Sequence, residues 1–304
     1  MAIRMKKIQI LSPDNGSGLT VDRNILIDAL KGFEVSWCDP LKNKPDSNVD
    51  VYIHLEIIYS KHFDKKIKQV GILNPEWFFP YWNGQFHKFN LICAKTKDAE
   101  NIFKRFNSNT VYTSFTSPCI KNHVPRERKF VHFAGKSEAK GTAQILKAFA
   151  LPGMPELTIY CHGAFDSKDI PNRVTVVRQK LSEEDYNREF NKCIFHLCPS
   201  EYEGFGHYIN EAKSVGAIIL TTNAAPMNEL CLSSFSFGVP WVSFGKQNLG
   251  CMFKADFREI AKQVKVMENL TDDNIKLFGE RAENSFWQND SFFRKNILNV
   301  FNNL

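Results

Sequence analysis

The chain has 304 residues, of which 43% are hydrophobic, and a formal net charge of +6 at pH 7. This length predicts about two domains with a substantial hydrophobic core. No apolar run is long enough to span a bilayer and the first residues lack the apolar stretch of a signal peptide, so a cytoplasmic location is expected. The eight cysteines form no C-x2-C pair and several lie in apolar segments, which predicts reduced, buried thiols and argues against a disulfide framework or a structural zinc site.

The first half of the chain alternates short apolar segments with helical patterns. The sequence predicts a strand at residues 8–11, a flexible turn that contains Gly16 and Gly18, and a helix at residues 20–30. Further strands are predicted at residues 33–37, 51–58, 69–73, 91–94 and 110–114. Alternating strands and helices favour a parallel sheet.

A dense aromatic loop follows the strand predicted at residues 69–73. Its rings are Trp77, Phe78, Phe79, Tyr81 and Trp82. Such rings stack on a sugar or on an extruded base, or they pack as a buried plug between domains, and the sequence leaves these interpretations open.

The second half repeats the α/β alternation. Strands are predicted at residues 129–133, 157–161, 174–177, 193–198 and 217–220. We therefore expect two Rossmann-like, doubly wound domains, at residues 1–122 and 123–285, facing each other across a ligand-binding cleft. The tail at residues 286–304 has the aromatic spacing of an amphipathic helix, for which packing against the core is expected.

Two lysines follow the strand at residues 129–133. Lys136 and Lys140 stand four residues apart in a turn flanked by Gly135 and Gly141. As point charges they suit two phosphates and would stabilise a departing diphosphate. Two solvated lysines on a loop are the alternative interpretation of this spacing.

Two glutamates flank a glycine turn that follows the strand at residues 193–198. Glu203 precedes the turn, and Glu211 lies about two helical turns beyond it. A helix N-terminus at the carboxyl end of a strand favours an anion, and a carboxylate accepts hydrogen bonds from vicinal sugar hydroxyls. Taken alone, the pair is more typical of a charge that complements the helix dipole, at Glu203, and a solvated helix residue, at Glu211.

The wider sequence around these residues resembles a known family. The pattern PS-x2-EGFG-x4-EA-x3-G at residues 199–216, followed by a strand, a turn and Glu229, resembles the donor-site signature of retaining GT-B glycosyltransferases of the family 4 type. The upstream GK-x3-KG segment at residues 135–141 resembles the phosphate-binding segment of that family. The resemblance implies two Rossmann-like domains, a C-terminal helix crossing back to the N-terminal acceptor domain, and a C-terminal donor domain.

The resemblance also implies an activity and its residues. The chain would transfer a sugar, with retention and without a metal or cofactor, from a UDP-, GDP- or ADP-linked donor to a hydroxyl acceptor. Catalysis would depend on Lys136 and Lys140 at the diphosphate and on Glu203 at the sugar, while Glu211 would hold the ribose. The other donor-binding residues would be Gly16, Gly18, Gly135, Arg178, Lys180, Gly204, Phe205, Gly206 and His207, with the base near residues 161–163 and 178–181.

The sequence departs from the family on the acceptor side. Many relatives carry a histidine after a central N-domain strand, where this chain reads Asn74-Pro75-Glu76, so Asn74, Glu76 or the upstream His54 is expected to take that place. The acceptor would be a glycan or, because of basic clusters around residues 61–68 and 126–129, an anionic polymer such as modified DNA. A GT-B nucleotide-sugar epimerase or hydrolase, and an inactive nucleotide-sugar-binding module, are the alternatives.

Overall fold

The computed structural model describes residues 4–162, 170–231 and 234–304 and divides them into two compact units. The chain passes from unit 1 to unit 2 between Ser117 and Pro118. Unit 1 also includes Lys246–Gly250 and Asn289–Leu304, and the other described residues after Ser117 form unit 2.

Unit 1 is built around a parallel sheet. Its strands are β1 (Lys7–Leu11), β2 (Glu34–Cys38), β3 (Val51–Glu56), β4 (Lys68–Leu73), β5 (Leu91–Ala94) and β6 (Thr110–Tyr112), and its α-helices before residue 118 are α1 (Gly18–Ala29) and α2 (Lys97–Phe103). The strand order is β2-β1-β3-β4-β5-β6, so the order reverses between β1 and β3. Strands β3 and β4 are buried almost throughout, as the continuous apolar runs of covered parallel strands predict.

The segment after β4 forms two short 3-10 helices, Pro75–Trp77 and Pro80–Lys88. Its aromatic side chains divide between core and surface. The ring of Phe78 is fully buried and stacks on that of Phe86 with 4.4 Å between centroids, whereas Trp77, Phe79 and Tyr81 are exposed. The loop therefore plugs the core of unit 1 with one ring and presents others to solvent.

Unit 2 is built around a second parallel sheet. Its strands are β7 (Glu127–Gly135), β8 (Leu157–Cys161), β9 (Val174–Val177), β10 (Cys193–Cys198), β11 (Ile218–Thr222) and β12 (Ser236–Val239), and its helices are α3 (Thr142–Phe149), α4 (Glu183–Lys192), α5 (His207–Ser214) and α6 (Phe257–Glu268). The order β12-β11-β10-β7-β8-β9 reverses between β7 and β10. Two parallel six-stranded sheets with flanking helices confirm the predicted α/β class.

A two-stranded sheet follows β12 and was not expected from the sequence. It consists of β13 (Trp241–Gln247) and β14 (Gly250–Ala255), with Trp241 and Phe244 exposed. The residues between its strands belong to unit 1, where the Asn248 side chain donates a hydrogen bond of 2.6 Å to the Glu76 carbonyl.

The last helix, α7 (Asp272–Asn303), is continuous over 32 residues. It extends the helix predicted for the tail at residues 286–304 back to Asp272. Its final part belongs to unit 1, where the rings of Phe293 and Phe115 lie 4.9 Å apart and Lys6 donates to the Phe301 carbonyl at 2.6 Å. Within the described ranges, no helix combines the length and the apolar character needed to cross a membrane.

Candidate active site

Two loops of unit 2 meet at the reversal of strand order. Strand β7 leads into the turn that carries Lys136 and Lys140, and the neighbouring β10 leads into the turn that carries Glu203. The amide of Glu201 donates a 2.7 Å hydrogen bond to the Ala139 carbonyl, which ties the two turns together. Open α/β sheets bind ligands in the crevice at this point, so the fold brings both predicted segments to the expected location.

Gly141 allows this close approach of the two turns. Its φ is +75°, in the left-handed region, and a Cβ at this position would lie 2.1 Å from the Pro199 carbonyl oxygen. A side chain there would have to separate the turns, because the obstacle is backbone. Glycine at residue 141 thus sets the position of Lys140 against the second turn.

Replacing Gly141 by alanine is expected to lower the free energy of unfolding by about 2–3 kcal/mol, because a positive φ alone costs an L-residue roughly 1–2 kcal/mol and the Cβ also collides with the Pro199 carbonyl. Urea unfolding monitored by fluorescence measures this loss. The matched control is Gly153→Ala, since Gly153 has a φ of +74° with nothing within 4 Å of its Cβ position. Equal losses in both variants would show that the contact with Pro199 is unimportant.

Lys140 and Glu203 form an ion pair across the two turns. The Lys140 ammonium donates to Glu203 Oε1 and lies 3.9 Å from the centroid of the Tyr208 ring. Ser200 donates a second hydrogen bond of 2.6 Å to the same carboxylate oxygen. The side chains of Lys140 and Glu203 are 18% and 12% exposed, so a ligand that reaches them finds both charges in place and partly desolvated.

The second turn ends where α5 begins. Gly206 caps this helix with a φ of +95°, and it follows the buried residues Gly204 and Phe205. His207 is the first helical residue, and its ring lies 5.5 Å from that of Phe205. The start of a helix favours an anion, because the helix dipole places partial positive charge there.

Glu211 lies farther along α5 on the side of the same site. Its carboxylate accepts a 3.1 Å hydrogen bond from the Tyr186 hydroxyl. Burial raises the pKa of Glu211, and His207, Tyr186 and Lys140 each act in the opposite direction. The influence of Lys140 shows that Glu211 belongs to the electrostatic environment of the ion pair.

Of the remaining predicted donor residues of unit 2, Lys136, Arg178 and Lys180 are exposed and Gly135 is half-buried. Lys136 lies in the first turn, and Gly135 before it accepts a 2.7 Å hydrogen bond from the His162 amide through its carbonyl. Arg178 and Lys180 follow β9, and the Arg178 carbonyl lies 2.9 Å from His162 Nδ1. Gly163, part of the segment expected near the base, lies outside the described residues.

The predicted residues of unit 1 fall in two environments. Gly16 lies in the exposed connection between β1 and α1, where its amide donates to Asp14 Oδ1 at 3.1 Å, and the exposed Gly18 is the first residue of α1. Asn74 and Glu76 follow β4 and are 7% and 4% exposed.

The third acceptor-side candidate, His54, is fully buried in the core of unit 1. One ring nitrogen accepts from the Tyr59 amide at 3.1 Å, and the other donates to Gln69 Oε1 at 2.8 Å. Burial lowers the pKa of His54 to about 4, so the ring is neutral at physiological pH. This histidine uses both nitrogens to hold the core together.

The chain resembles several solved structures over nearly its whole length. A glycosyltransferase from Rickettsia africae matches with a TM-score of 0.71 at 11% identity, covering 98% of each chain. HepE from Anabaena, solved in complex with UDP and glucose, matches with a TM-score of 0.69 at 13% identity over 99% of this chain and 100% of that one. Sucrose-phosphate synthase from Thermosynechococcus elongatus matches with a TM-score of 0.74 at 12% identity over 98% of each.

The fold is GT-B. No protein-family model matches the sequence, and no curated protein matches it. The GT-B assignment therefore comes from the architecture, and it agrees with the resemblance carried by the two sequence segments.

Within this GT-B structure, sequence reasoning missed three side chains at the site. The hydroxyls of Ser200 and Tyr208 lie 2.5 Å apart and connect to Glu203 through Ser200, while Tyr186 supports Glu211. The position of Ser200, three residues before Glu203 in the motif, was the available signal. Tyr186 lies on α4, and nothing in the sequence places it opposite Glu211.

Proposed function

We propose that the chain is a retaining glycosyltransferase that moves a sugar from a nucleotide-diphosphate sugar to a hydroxyl of a glycan acceptor, without a bound metal. The observation that carries this proposal is the Lys140–Glu203 ion pair at the strand-order reversal of unit 2, beside the start of α5. A cation for phosphate, a carboxylate for sugar hydroxyls and the start of a helix thus occur together where open α/β sheets bind nucleotides.

In the proposed reaction the donor diphosphate replaces Glu203 as the partner of Lys140. Glu203 then accepts hydrogen bonds from the sugar, while Lys136 and the first amides of α5, including that of His207, meet the phosphates. The bond from the anomeric carbon to the phosphate oxygen breaks, and the acceptor oxygen bonds to that carbon on the same face. The proton of the acceptor passes to the departing phosphate oxygen. Lys140 stabilises the charge that develops there, the largest single contribution in many enzymes.

The nucleotide is assigned to the same unit. We assign its ribose hydroxyls to Glu211, which Tyr186 holds in place. The base then extends toward Arg178 and Lys180, while the phosphates remain at Lys136 and Lys140. Domain roles follow from these positions: residues 123–285 bind the donor, residues 1–122 bind the acceptor, and residues 286–304 complete the acceptor domain.

On the acceptor side, Asn74 and Glu76 are better candidates than His54 for the place of the family histidine. His54 has both nitrogens engaged in the core, whereas Asn74 Oδ1 is buried without a hydrogen-bond partner in the described part of the chain. The exposed rings of Phe79 and Tyr81 are stacked with 5.5 Å between centroids and supply an aromatic surface for sugar rings.

Calorimetric titration with UDP, GDP and ADP, followed by assays of the matching donor sugars, tests the proposal. We expect one nucleotide diphosphate to bind and its sugar donor to be consumed at the same rate with or without EDTA. Binding with neither hydrolysis nor transfer would instead support the inactive module. Formation of an isomeric sugar without an acceptor would support an epimerase, and binding of no nucleotide would overturn the donor site.

The variant Glu211→Gln separates stability from binding. Burial raises the pKa of Glu211, so its carboxyl group loses a proton at a lower pH in the unfolded chain than in the folded chain. The folded state therefore loses stability as the pH rises above the ordinary pKa of glutamate. We expect Glu211→Gln to have a higher Tm than the wild type at pH 7, with a smaller difference near pH 4. Nucleotide affinity should fall by about 10- to 100-fold, the scale of a hydrogen bond to a charged group.

Thermal scans and calorimetry measure the two effects, and Glu280→Gln, at an exposed position of α7, is the control. Unchanged nucleotide affinity in Glu211→Gln would remove this residue from the ribose site.

A further inference from the structure

The carboxyl edge of the unit 1 sheet carries a polar cluster that the donor site does not use. Strand order reverses between β1 and β3, Ser12 directly follows β1, and Glu56 is the last residue of β3. The crevice at such a reversal is the usual ligand location in open α/β sheets. Unit 1 therefore has its own topological ligand position.

Glu56 has a strained backbone at this position. Its φ is 69°, in the left-handed region that side-chain-bearing residues seldom adopt. Its side chain is half-buried, and burial raises the pKa of its carboxyl group against the opposing charge of Lys95. Among the residues that the structure describes, none donates a hydrogen bond to the Glu56 carboxylate. Strain of this kind concentrates at ligand sites, where the surrounding structure enforces it.

A buried ion pair adjoins Glu56. Lys95 Nζ lies 2.5 Å from Asp22 Oδ2, and the two side chains are 1% and 7% exposed. Both charges act on the Glu56 carboxyl group, so the three residues form one electrostatic cluster. Two carboxylates and one ammonium give this cluster an excess of negative charge, which disfavours an anionic ligand.

Three buried polar atoms around this edge have no hydrogen-bond partner among the residues that the structure describes. They are Ser12 Oγ, Tyr59 OH and Asn74 Oδ1, on residues that are 0%, 6% and 7% exposed. The amide of Asn74 donates to the Glu56 carbonyl at 3.1 Å, and the charge of Glu56 contributes to the raised pKa of Tyr59. Buried polar atoms are almost always paired, so several unpaired ones beside a strained carboxylate indicate a ligand with polar groups of its own.

We propose that Ser12, Glu56 and Asn74 bind a neutral, hydroxyl-rich sugar of the acceptor. A sugar hydroxyl donates to Glu56 or to Asn74 Oδ1, and it also accepts from the Ser12 hydroxyl. The inference rests on the proposed glycosyltransferase function and specifies its acceptor. The group bound at this edge is neutral, in contrast to the anionic polymer that the basic surface clusters favour.

Saturation-transfer NMR with small sugars tests this site in the full chain. The probes are methyl α-glycosides of glucose, galactose and mannose, with glucose 6-phosphate as the anionic counterpart. At least one neutral glycoside should bind the wild type more tightly than glucose 6-phosphate, because the excess of negative charge disfavours the phosphate group. Glu56→Gln should weaken it by about 10-fold or more, because a hydrogen bond to a charged group is lost. Glu34→Gln, at an exposed position of β2, should leave its affinity unchanged.

A second variant separates binding from folding. Ser12→Ala removes a buried hydroxyl that has no protein partner, so its Tm should equal or exceed that of the wild type while glycoside affinity falls several-fold. The inference is overturned if Glu56→Gln binds the glycoside as well as the wild type, if glucose 6-phosphate binds best, or if no glycoside binds. Nucleotide binding is measured in parallel. If only this inference fails, the wild type still binds a nucleotide. If only the donor-site proposal fails, the wild type binds the glycoside but no nucleotide.

Discussion

Replacement of Lys140 by alanine is expected to lower the turnover number for sugar transfer by at least ~100-fold, the scale for removing one preorganised group that stabilises transition-state charge. The ammonium is held between Glu203 and the Tyr208 ring, with 18% of the side chain exposed, so little water is available to replace its charge. The effect should fall on the turnover number more than on the KM for the donor, because the charge on the leaving diphosphate grows toward the transition state.

Steady-state kinetics with the donor identified by calorimetry measures this effect. The control is Lys147→Ala, at an exposed position of α3 in the same unit, and its turnover number should equal that of the wild type. An unchanged turnover number in Lys140→Ala would remove Lys140 from the catalytic site.

The second large effect is acid unfolding between pH 6.5 and about pH 4. Three buried histidines drive it: burial lowers the pKa of His54 and His132 to about 4 and that of His196 to about 3. Each stays neutral in the folded chain while its unfolded counterpart takes up a proton near pH 6.5, so stability falls as pH decreases through this window. At pH 4 the cost is about 3 kcal/mol for each histidine, and the three together approach the whole stability of an ordinary protein.

Thermal scans followed by circular dichroism across this pH range measure the loss. His132 accepts from the Thr142 hydroxyl at 2.9 Å while its other nitrogen donates to the Leu197 carbonyl, so His132→Gln lowers stability at pH 7. The variant should also reduce the slope of stability against pH by about a third, because it removes one of the three protons that drive acid unfolding. His87→Gln, at an exposed position, should leave the slope unchanged. A Tm that does not vary between pH 6.5 and pH 4.5 would contradict the neutral, buried state of these rings.

Much of the fold follows from local sequence patterns. Strands such as Cys193–Cys198 and Leu157–Cys161 have the predicted bounds, because continuous apolar runs there end at turn residues. The two-stranded sheet from Trp241 was missed because β13 is largely exposed and β14 is mostly half-buried, so neither strand has a continuous apolar face. The last helix is longer than predicted. The residues between its acidic first turn and its aromatic tail are too polar to show the apolar periodicity of a helix that packs against the core.

The sequence predicted which residues form the candidate site but not which of them contact one another. The motif indicates that Lys140 and Glu203 approach a ligand, yet their ion pair joins residues 63 positions apart and depends on the glycine at residue 141. The cluster at Glu56 had no sequence signal, because a positive φ at a glutamate and an unpaired buried hydroxyl at Ser12 are tertiary features. These contacts depend on tertiary packing, which places charges that are distant in the sequence in one low-dielectric environment.

A crystal structure with the nucleotide diphosphate that binds most tightly tests the donor site most directly. The predicted result is a phosphate oxygen within hydrogen-bond distance of Lys140 Nζ, the ribose hydroxyls on Glu211, and the carboxylate of Glu203 released from its ion pair. A nucleotide bound elsewhere, with the Lys140–Glu203 pair intact, would contradict the account.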